Sequence, residues 1–260
     1  MNLYIMKIVA GIAVKDEEWI IKKNLDVLIR FCDKIIVQND NGTDRTKEIC
    51  EAYDKVEWYE RPYHEWYIRE EGKQRRELFD LVVKHNPDYI LLLDADEIVT
   101  PSIVNFLNNI DTSINLWSVR MINLWGDEEH YRIDSYRTSV GANVNWDPFS
   151  SNAWRKTSLM KYNKDFEYKY DLTVNKGPVS IYHPCPDNSP KPHKKTETFY
   201  ILHYSKLSEE YRSGLRNHKY SKMEAYENRG DYNHSIKRHE SCRLEGNPVL
   251  KKINKEWMWS

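Results

Sequence analysis

A chain of 260 residues is long enough to bury a substantial core, so size excludes no class of enzyme. Its 39 Lys and Arg nearly cancel its 40 Asp and Glu; no overall field marks it as a nucleic-acid binder, and any electrostatic function must be local. The longest apolar runs, such as Tyr89 to Leu93, are far too short to span a bilayer, and the chain does not open on a basic stretch followed by a long apolar one. The expectation is a soluble, unexported, cytoplasmic protein without a transmembrane segment. Cys32, Cys50, Cys185 and Cys242 show no CxxC pairing and read as buried or free thiols.

In chain order, the first hundred residues alternate apolar runs with segments of helical period, the pattern of βαβ units around a mostly parallel sheet. Ile8 to Val14 predicts a strand; Ile21, Leu25, Leu28, Ile29 and Cys32 form the stripe of a helix. Lys34 to Val37 predicts a second strand, and the turn Asn39-Asp40-Asn41-Gly42 leads to a helix carrying Thr46, Ile49, Cys50 and Tyr53, with Thr43 as its expected N-cap. Val56 to Tyr59 predicts a third strand. Leu78, Leu81, Val82 and His85 mark a helix that Asn86-Pro87 ends, and Tyr89 to Leu93 is apolar on both faces, as a central parallel strand requires. Thr100-Pro101 signals another helix. Beyond it the pattern loosens, with strands expected near Leu116 to Trp125 and Phe199 to Tyr204, an exposed Pro-rich loop from His183 to Pro192, and a surface helix from Glu209 to about Asn228.

The central strand runs directly into Asp94-Ala95-Asp96-Glu97. Three acids at the edge of a core need a partner that offsets lost solvation, and a divalent cation is one. In extended backbone Asp94 and Asp96 share a face while Glu97 points elsewhere, and ligands of open parallel sheets bind beyond the carboxyl ends of the strands. The plainer alternative is a set of capping and surface acids ahead of Thr100-Pro101.

Leu92-Leu93-Asp94-Ala95-Asp96-Glu97 resembles the DxD motif of GT-A glycosyltransferases of the family-two type. Two further stretches fit in the same order. Val9 to Glu18 resembles that family's opening strand, and Asn39-Asp40-Asn41-Gly42-Thr43-Asp44-Arg45-Thr46 resembles its signature DxSTDGT. The likeness covers residues 7 to 100 and thins after that. It implies an α/β, Rossmann-like GT-A fold, a mostly parallel central sheet flanked by helices, with a less regular α+β C-terminal part. Residues 1–110 would bind the nucleotide sugar, and residues 111–260, with a C-terminal helix, the acceptor. It implies a metal-dependent, inverting transfer of a sugar from a UDP- or GDP-linked donor to a glycan, lipid or small acceptor, with Mn2+ or Mg2+ stabilising the departing diphosphate. Asp96 is then the direct metal ligand, and Asp94 lies nearer the ribose and the metal. Asp40 faces the base or ribose, and backbone groups of Ala10, Gly11 and Ile12 pack beside the base. Arg75 is the expected arginine near the nucleotide, against the alternative of a solvated basic helix end.

His203, ending a strand-like run, is the candidate for a late histidine that completes the metal site, with His183 and His193 as weaker candidates. Inversion requires a carboxylate base, and no clean ED-type motif supplies one. Asp147 is the best candidate, with Glu128 and Glu129 as rivals, and Trp125, Trp146 and Trp154 as an acceptor platform or as core. Other classes fit less well. A haloacid-dehalogenase-type phosphatase would use Asp94 as nucleophile, but Ile98 stands where that motif wants Thr or Val. A sugar nucleotidyltransferase would need a Gly-rich basic loop where Lys15-Asp16-Glu17-Glu18 stands, and a carbohydrate-binding module has no need of the acids. A degenerate protein that binds sugar nucleotides without turnover is the remaining alternative.

Overall fold

The computed structural model describes residues 6–62, 71–137, 143–151, 153–170, 185–207 and 248–260. Its elements in chain order are β1 (Ile8–Val14), α1 (Ile21–Leu28), β2 (Lys34–Asn39), α2 (Thr46–Glu51), β3 (Val56–Glu60), α3 (Glu71–Val83), β4 (Tyr89–Asp94), β5 (Glu97–Val99) and α4 (Ile103–Asn108). There follow β6 (Leu116–Asn123), β7 (His130–Arg132), β8 (Ser135–Arg137), β9 (Asn143–Asn145), β10 (Arg155–Lys161), β11 (His193–His203), β12 (Leu250–Lys252) and a short 3-10 turn (Lys255–Trp257). The helix expected from Glu209 lies outside the described residues.

One eight-stranded sheet, in the order β3-β2-β1-β4-β10-β6-β11-β5, organises the molecule. β3, β2, β1 and β4 are parallel; β10 runs against both β4 and β6, so β6 and its parallel neighbour β11 point the same way as β4. Only β10 and β5 oppose the rest. The sheet is therefore the mostly parallel, helix-flanked α/β arrangement that the first hundred residues predict, and strands from either side of residue 110 share it. The short pairs β7–β12 and β8–β9 form the less regular C-terminal part.

Alternation along the strands sends side chains to two cores. Ala10, Ile12 and Val14 of β1 pack with Ile21, Leu25 and Leu28 of α1 and with Ile103 and Phe106 of α4 on one face. Val9, Ile36, Ile90 and Leu92 meet Leu78, Phe79 and Val82 of α3 on the other. Gly11 lies on the α3 face, where a Cβ would stand 2.8 Å from a Leu92 methyl and 2.9 Å from a Val82 methyl. Its missing side chain lets α3 press onto the sheet. Gly11→Ala is expected to cost about 1–3 kcal/mol through overpacking, measured by urea unfolding, and an unchanged midpoint would refute this account.

Two local expectations are corrected. α2 is not capped by Thr43: the helix starts later, and Asp44 Oδ1 accepts from the backbone N of Thr46 at 3.0 Å. The Thr43 N–H instead donates to Asp16 Oδ1 at 2.6 Å, lacing the loop after β2 to the loop after β1. Gly42 sits in that seam, where a Cβ would come within 2.7 Å of the Asp16 backbone N. Within the Pro-rich loop, Cys185 and Pro186 are buried, while the stretch from Asp187 to Pro192 is half-buried or exposed, as expected.

Candidate active site

β4 is buried through residues 89–93 and first reaches the sheet edge at Asp94, where the chain turns through Ala95 and Asp96. Asn24 of α1 fixes this turn from beneath. Its Nδ2 donates to the carbonyls of Asp94, Ala95 and Glu97 at 3.2, 2.9 and 3.1 Å, and the residue is fully buried. Because the backbone turns here and does not stay extended, Glu97 does not point away from the other acids. Its Oε2 returns to accept from the Asp94 backbone N at 2.8 Å.

Asp94 lies at the centre of four charges. Its Oδ1 accepts from Arg75 Nη2 at 2.8 Å and its Oδ2 from Lys156 Nζ at 3.0 Å, while Lys156 also donates to Glu97 Oε2 at 2.5 Å. Arg75, Lys156 and Glu97 are all buried. Burial opposes ionisation of Asp94, but the Arg75 and Lys156 charges outweigh it and hold the carboxyl well below the usual range. Burial likewise works against the Lys156 charge, and the facing Asp94 and Glu97 raise it nonetheless. Burial pushes Glu97 above its ordinary value against the opposing charge of Lys156. Two cations and two anions thus balance in a region that could not hold any of them alone.

Asp96 makes a separate pair. His203, at the end of β11, brings Nε2 to 3.3 Å from Asp96 Oδ2. Strand pairing causes the meeting: β11 lies between β5 and β6, with His203 opposite Glu97 on one side and Asn123 on the other. The Tyr204 backbone N also donates to the Asp96 carbonyl at 2.9 Å. Asn123 Oδ1, which can only accept, lies 2.8 Å from His203 Nδ1, so Nδ1 carries the proton and Nε2 is the atom turned to the carboxylate. One carboxylate oxygen and one imidazole nitrogen at a sheet edge are two donors that could join ligand oxygens and water around Mn2+, whereas Mg2+, which takes oxygen ligands, would draw on the carboxylate. Among the described residues, no three His, Cys, Asp or Glu side chains are grouped so as to hold a metal ion by themselves.

The sheet is GT-A-like. No protein-family model matches the sequence, and no curated protein matches it. Among solved structures, glucosyl-3-phosphoglycerate synthase from Mycobacterium tuberculosis, in complex with Mn2+, uridine diphosphate and phosphoglyceric acid, is 19% identical with a TM-score of 0.33. That alignment covers 45% of this chain and 43% of the synthase, so this chain matches less than half of the synthase's length. S. aureus TarS 1-349 is 16% identical over 60% of this chain and 47% of that one, with a TM-score of 0.39. 4-Diphosphocytidyl-2C-methyl-D-erythritol synthase is 15% identical over 60% and 75%, with a TM-score of 0.42.

The other expected site residues lie as follows. Ala10, Gly11 and Ile12 are buried inside β1, short of its carboxyl end. The residue level with Asp94 across the ladder is Ala13, so Ala10, Gly11 and Ile12 lie one to three residues short of the level of the acids. Asp40 is fully buried at the end of β2 in an ion pair with Arg61, which also donates to Glu77 at 2.7 Å. Asp147 is half-buried in the loop after β9, where its Oδ1 accepts from the Phe149 backbone N at 2.9 Å; it has no bond to Asp94, Asp96, Lys156 or His203. Trp125 and Trp146 meet edge to face at 5.2 Å and flank the Arg132 guanidinium, whereas Trp154 is 59% exposed. Glu128 pairs with Lys23 and Glu129 with Lys252. His193 is exposed and bonds Ser118 at 2.7 Å, and His183 lies outside the described residues.

Sequence reasoning missed Asn24, Asn123, Glu97 and Lys156. Lys156 carried no local signal: Lys156-Thr157-Ser158-Leu159-Met160 shows no polar–apolar alternation, and its burial follows from the place of β10 between β4 and β6.

Proposed function

We propose that the protein is a glycosyltransferase that moves a sugar from a nucleoside diphosphate donor, uridine- or guanosine-linked, to a glycan, lipid-linked or small acceptor. The observation that carries this reading is the Asp94-Ala95-Asp96 turn at the carboxyl end of the central parallel strand, with His203 set 3.3 Å from Asp96. Asp96 and His203 would hold Mn2+ or Mg2+. When bound, the cation offsets the negative charge that builds on the diphosphate as the anomeric C–O bond breaks.

This chain's own residues would do the rest. Asp94, held by Arg75 and Lys156, would turn toward the ribose and the cation, and the two basic side chains would hold its carboxylate in place. Asp40, oriented by Arg61, takes the polar edge of the base. Asp147 is the carboxylate we assign to remove the proton of the acceptor hydroxyl in an inverting displacement, with Trp146 and exposed Trp154 as surfaces for sugar rings. The phosphatase alternative would require Asp94 as nucleophile, yet both of its oxygens are engaged in ion pairs.

A thermal-shift screen tests the reading, with UDP, GDP and their sugars in the presence of Mn2+, Mg2+ or chelator. One nucleotide is expected to stabilise the protein only with the cation, by about 2.7 kcal/mol at a hundred times its Kd. No shift with any nucleotide at millimolar concentration would reject the donor site.

A further inference from the structure

Between β3 and α3 lies a cavity of about 300 Å³ whose lining includes none of the acids of the turn. Gln38 of β2, Tyr59 and Pro62 at the end of β3, and Leu81 of α3 form part of its wall. The charged groups of the wall have partners: Arg61 pairs with Asp40 and Glu77, Asp80 with Arg76 at 2.9 Å, and Glu60 accepts from Asn39 at 2.8 Å. Lys84, also in the wall, is exposed to water. The Gln38 amide differs from all of these. The residue is 3% exposed, and among the described residues no group donates to its Oε1. Two residues earlier on the same strand and facing the same core, Ile36 is apolar. A buried primary amide without a partner is costly unless something in the cavity bonds it.

We infer that this cavity binds a neutral planar ring carrying a carbonyl beside an N–H, the lactam edge shared by uracil, guanine and hypoxanthine, and that Gln38 reads that edge. A primary amide presents a C=O and an N–H side by side in one plane, so it bonds a lactam twice, and a half-turn of the amide serves either orientation of the ring. The Tyr59 ring, its hydroxyl tied to Glu57 Oε2 at 2.9 Å, and the Leu81 side chain supply apolar surface for the faces of such a ring. Because the acids and the arginine of the wall compensate one another, a ligand needs no charge to enter. Gln38 is level with Ala13 on β1, and Ala13 with Asp94 on β4, so the cavity lies along the same edge of the sheet as the acids, two strands away. The ring therefore has two sources: the base of a nucleoside diphosphate that reaches the acid turn, or a separate nucleoside-like molecule. The site stands on the cavity and on Gln38, and does not depend on the glycosyltransferase reading.

The test uses the full chain and the free nucleosides uridine and inosine, titrated by ligand-observed NMR without metal. One of them is expected to bind at millimolar concentration, and its N-methylated form, 3-methyluridine or 1-methylinosine, about tenfold more weakly, since the methyl group removes the N–H and keeps the ring. Gln38→Leu is expected to weaken the nucleoside about tenfold and to erase its advantage over the methylated form. Binding of neither nucleoside, or equal binding of nucleoside and methylated form by wild type, would overturn the inference; both results come from wild type alone and hold even if Gln38→Leu does not fold. Equal affinity of folded Gln38→Leu and wild type overturns it as well. Saturation with UDP or GDP and Mn2+ then separates the sources. A nucleoside excluded by its own diphosphate places the donor's base in the cavity, and one that binds beside it is a separate ligand; either result supports the site. If nucleosides bind with this dependence on Gln38 while no nucleotide gives a cation-dependent thermal shift, the cavity stands and the glycosyltransferase reading falls. If a nucleotide gives that shift and neither nucleoside binds, the inference falls alone.

Discussion

Asp96→Asn is expected to abolish the cation-dependent thermal shift with nucleotide and to lower turnover by about three orders of magnitude, the scale of losing one fixed group that stabilises transition-state charge. The substitution keeps the size of the side chain and removes its charge. An amide can still bond His203 Nε2, 3.3 Å from the present carboxylate, and the Tyr204 N–H still reaches the residue's backbone carbonyl. The ligand-free protein should therefore lose only about 1 kcal/mol, a drop of about 2–4 °C in melting temperature for a chain of this size. The two readouts separate function from folding. Retained cation-dependent binding in Asp96→Asn would remove this residue from the metal site. A large drop in the melting temperature of the ligand-free protein would show that the Asp96–His203 pair is structural.

Asn24→Ala is expected to destabilise the protein by about 3 kcal/mol. Its amide serves three buried carbonyls, those of Asp94, Ala95 and Glu97, and water cannot replace it because Asn24 is fully buried. Each carbonyl left without a donor costs about 1–3 kcal/mol, and the bonds are shared by two N–H groups, so the sum is less than three full terms. Urea unfolding measures the loss. The same variant, assayed well below its melting temperature, should bind nucleotide and cation more weakly, since the turn that carries Asp96 is no longer pinned to α1. Stability within 1 kcal/mol of wild type would mean that the turn is held by strand pairing alone.

Legibility in the sequence followed the range of the forces involved. β1 and β4 were readable nearly to the residue, and α1 at its start though its stripe ran on to Cys32 past the helix end at Leu28, because short-period burial patterns report a local choice of backbone. The turn after Asp94 was misjudged because extended geometry was carried one residue too far. What bends the chain there is Asn24, distant in sequence, and no local pattern shows it. Ala10, Gly11 and Ile12 lie inside β1, one to three residues short of the level of Asp94, since a motif marks a strand without marking where its edge leaves the core. His203 was visible as an imidazole at a strand end expected beside Asp96, but Asn123, which holds its other ring nitrogen, was not.

By itself, the sequence determined the alternating α/β plan, the central strand and the acids that close it, because burial periodicity and the cost of desolvating charge act between near neighbours. Tertiary structure alone decided which acid pairs with what. The pairing of β11 between β5 and β6 puts His203 on Asp96, and the antiparallel entry of β10 beside β4 puts Lys156 on Asp94 and Glu97. Three carboxylates that are equivalent in sequence become one candidate ligand and two halves of buried ion pairs, since a charge at the edge of a core is defined by the partner that compensates it, and that partner comes from across the sheet.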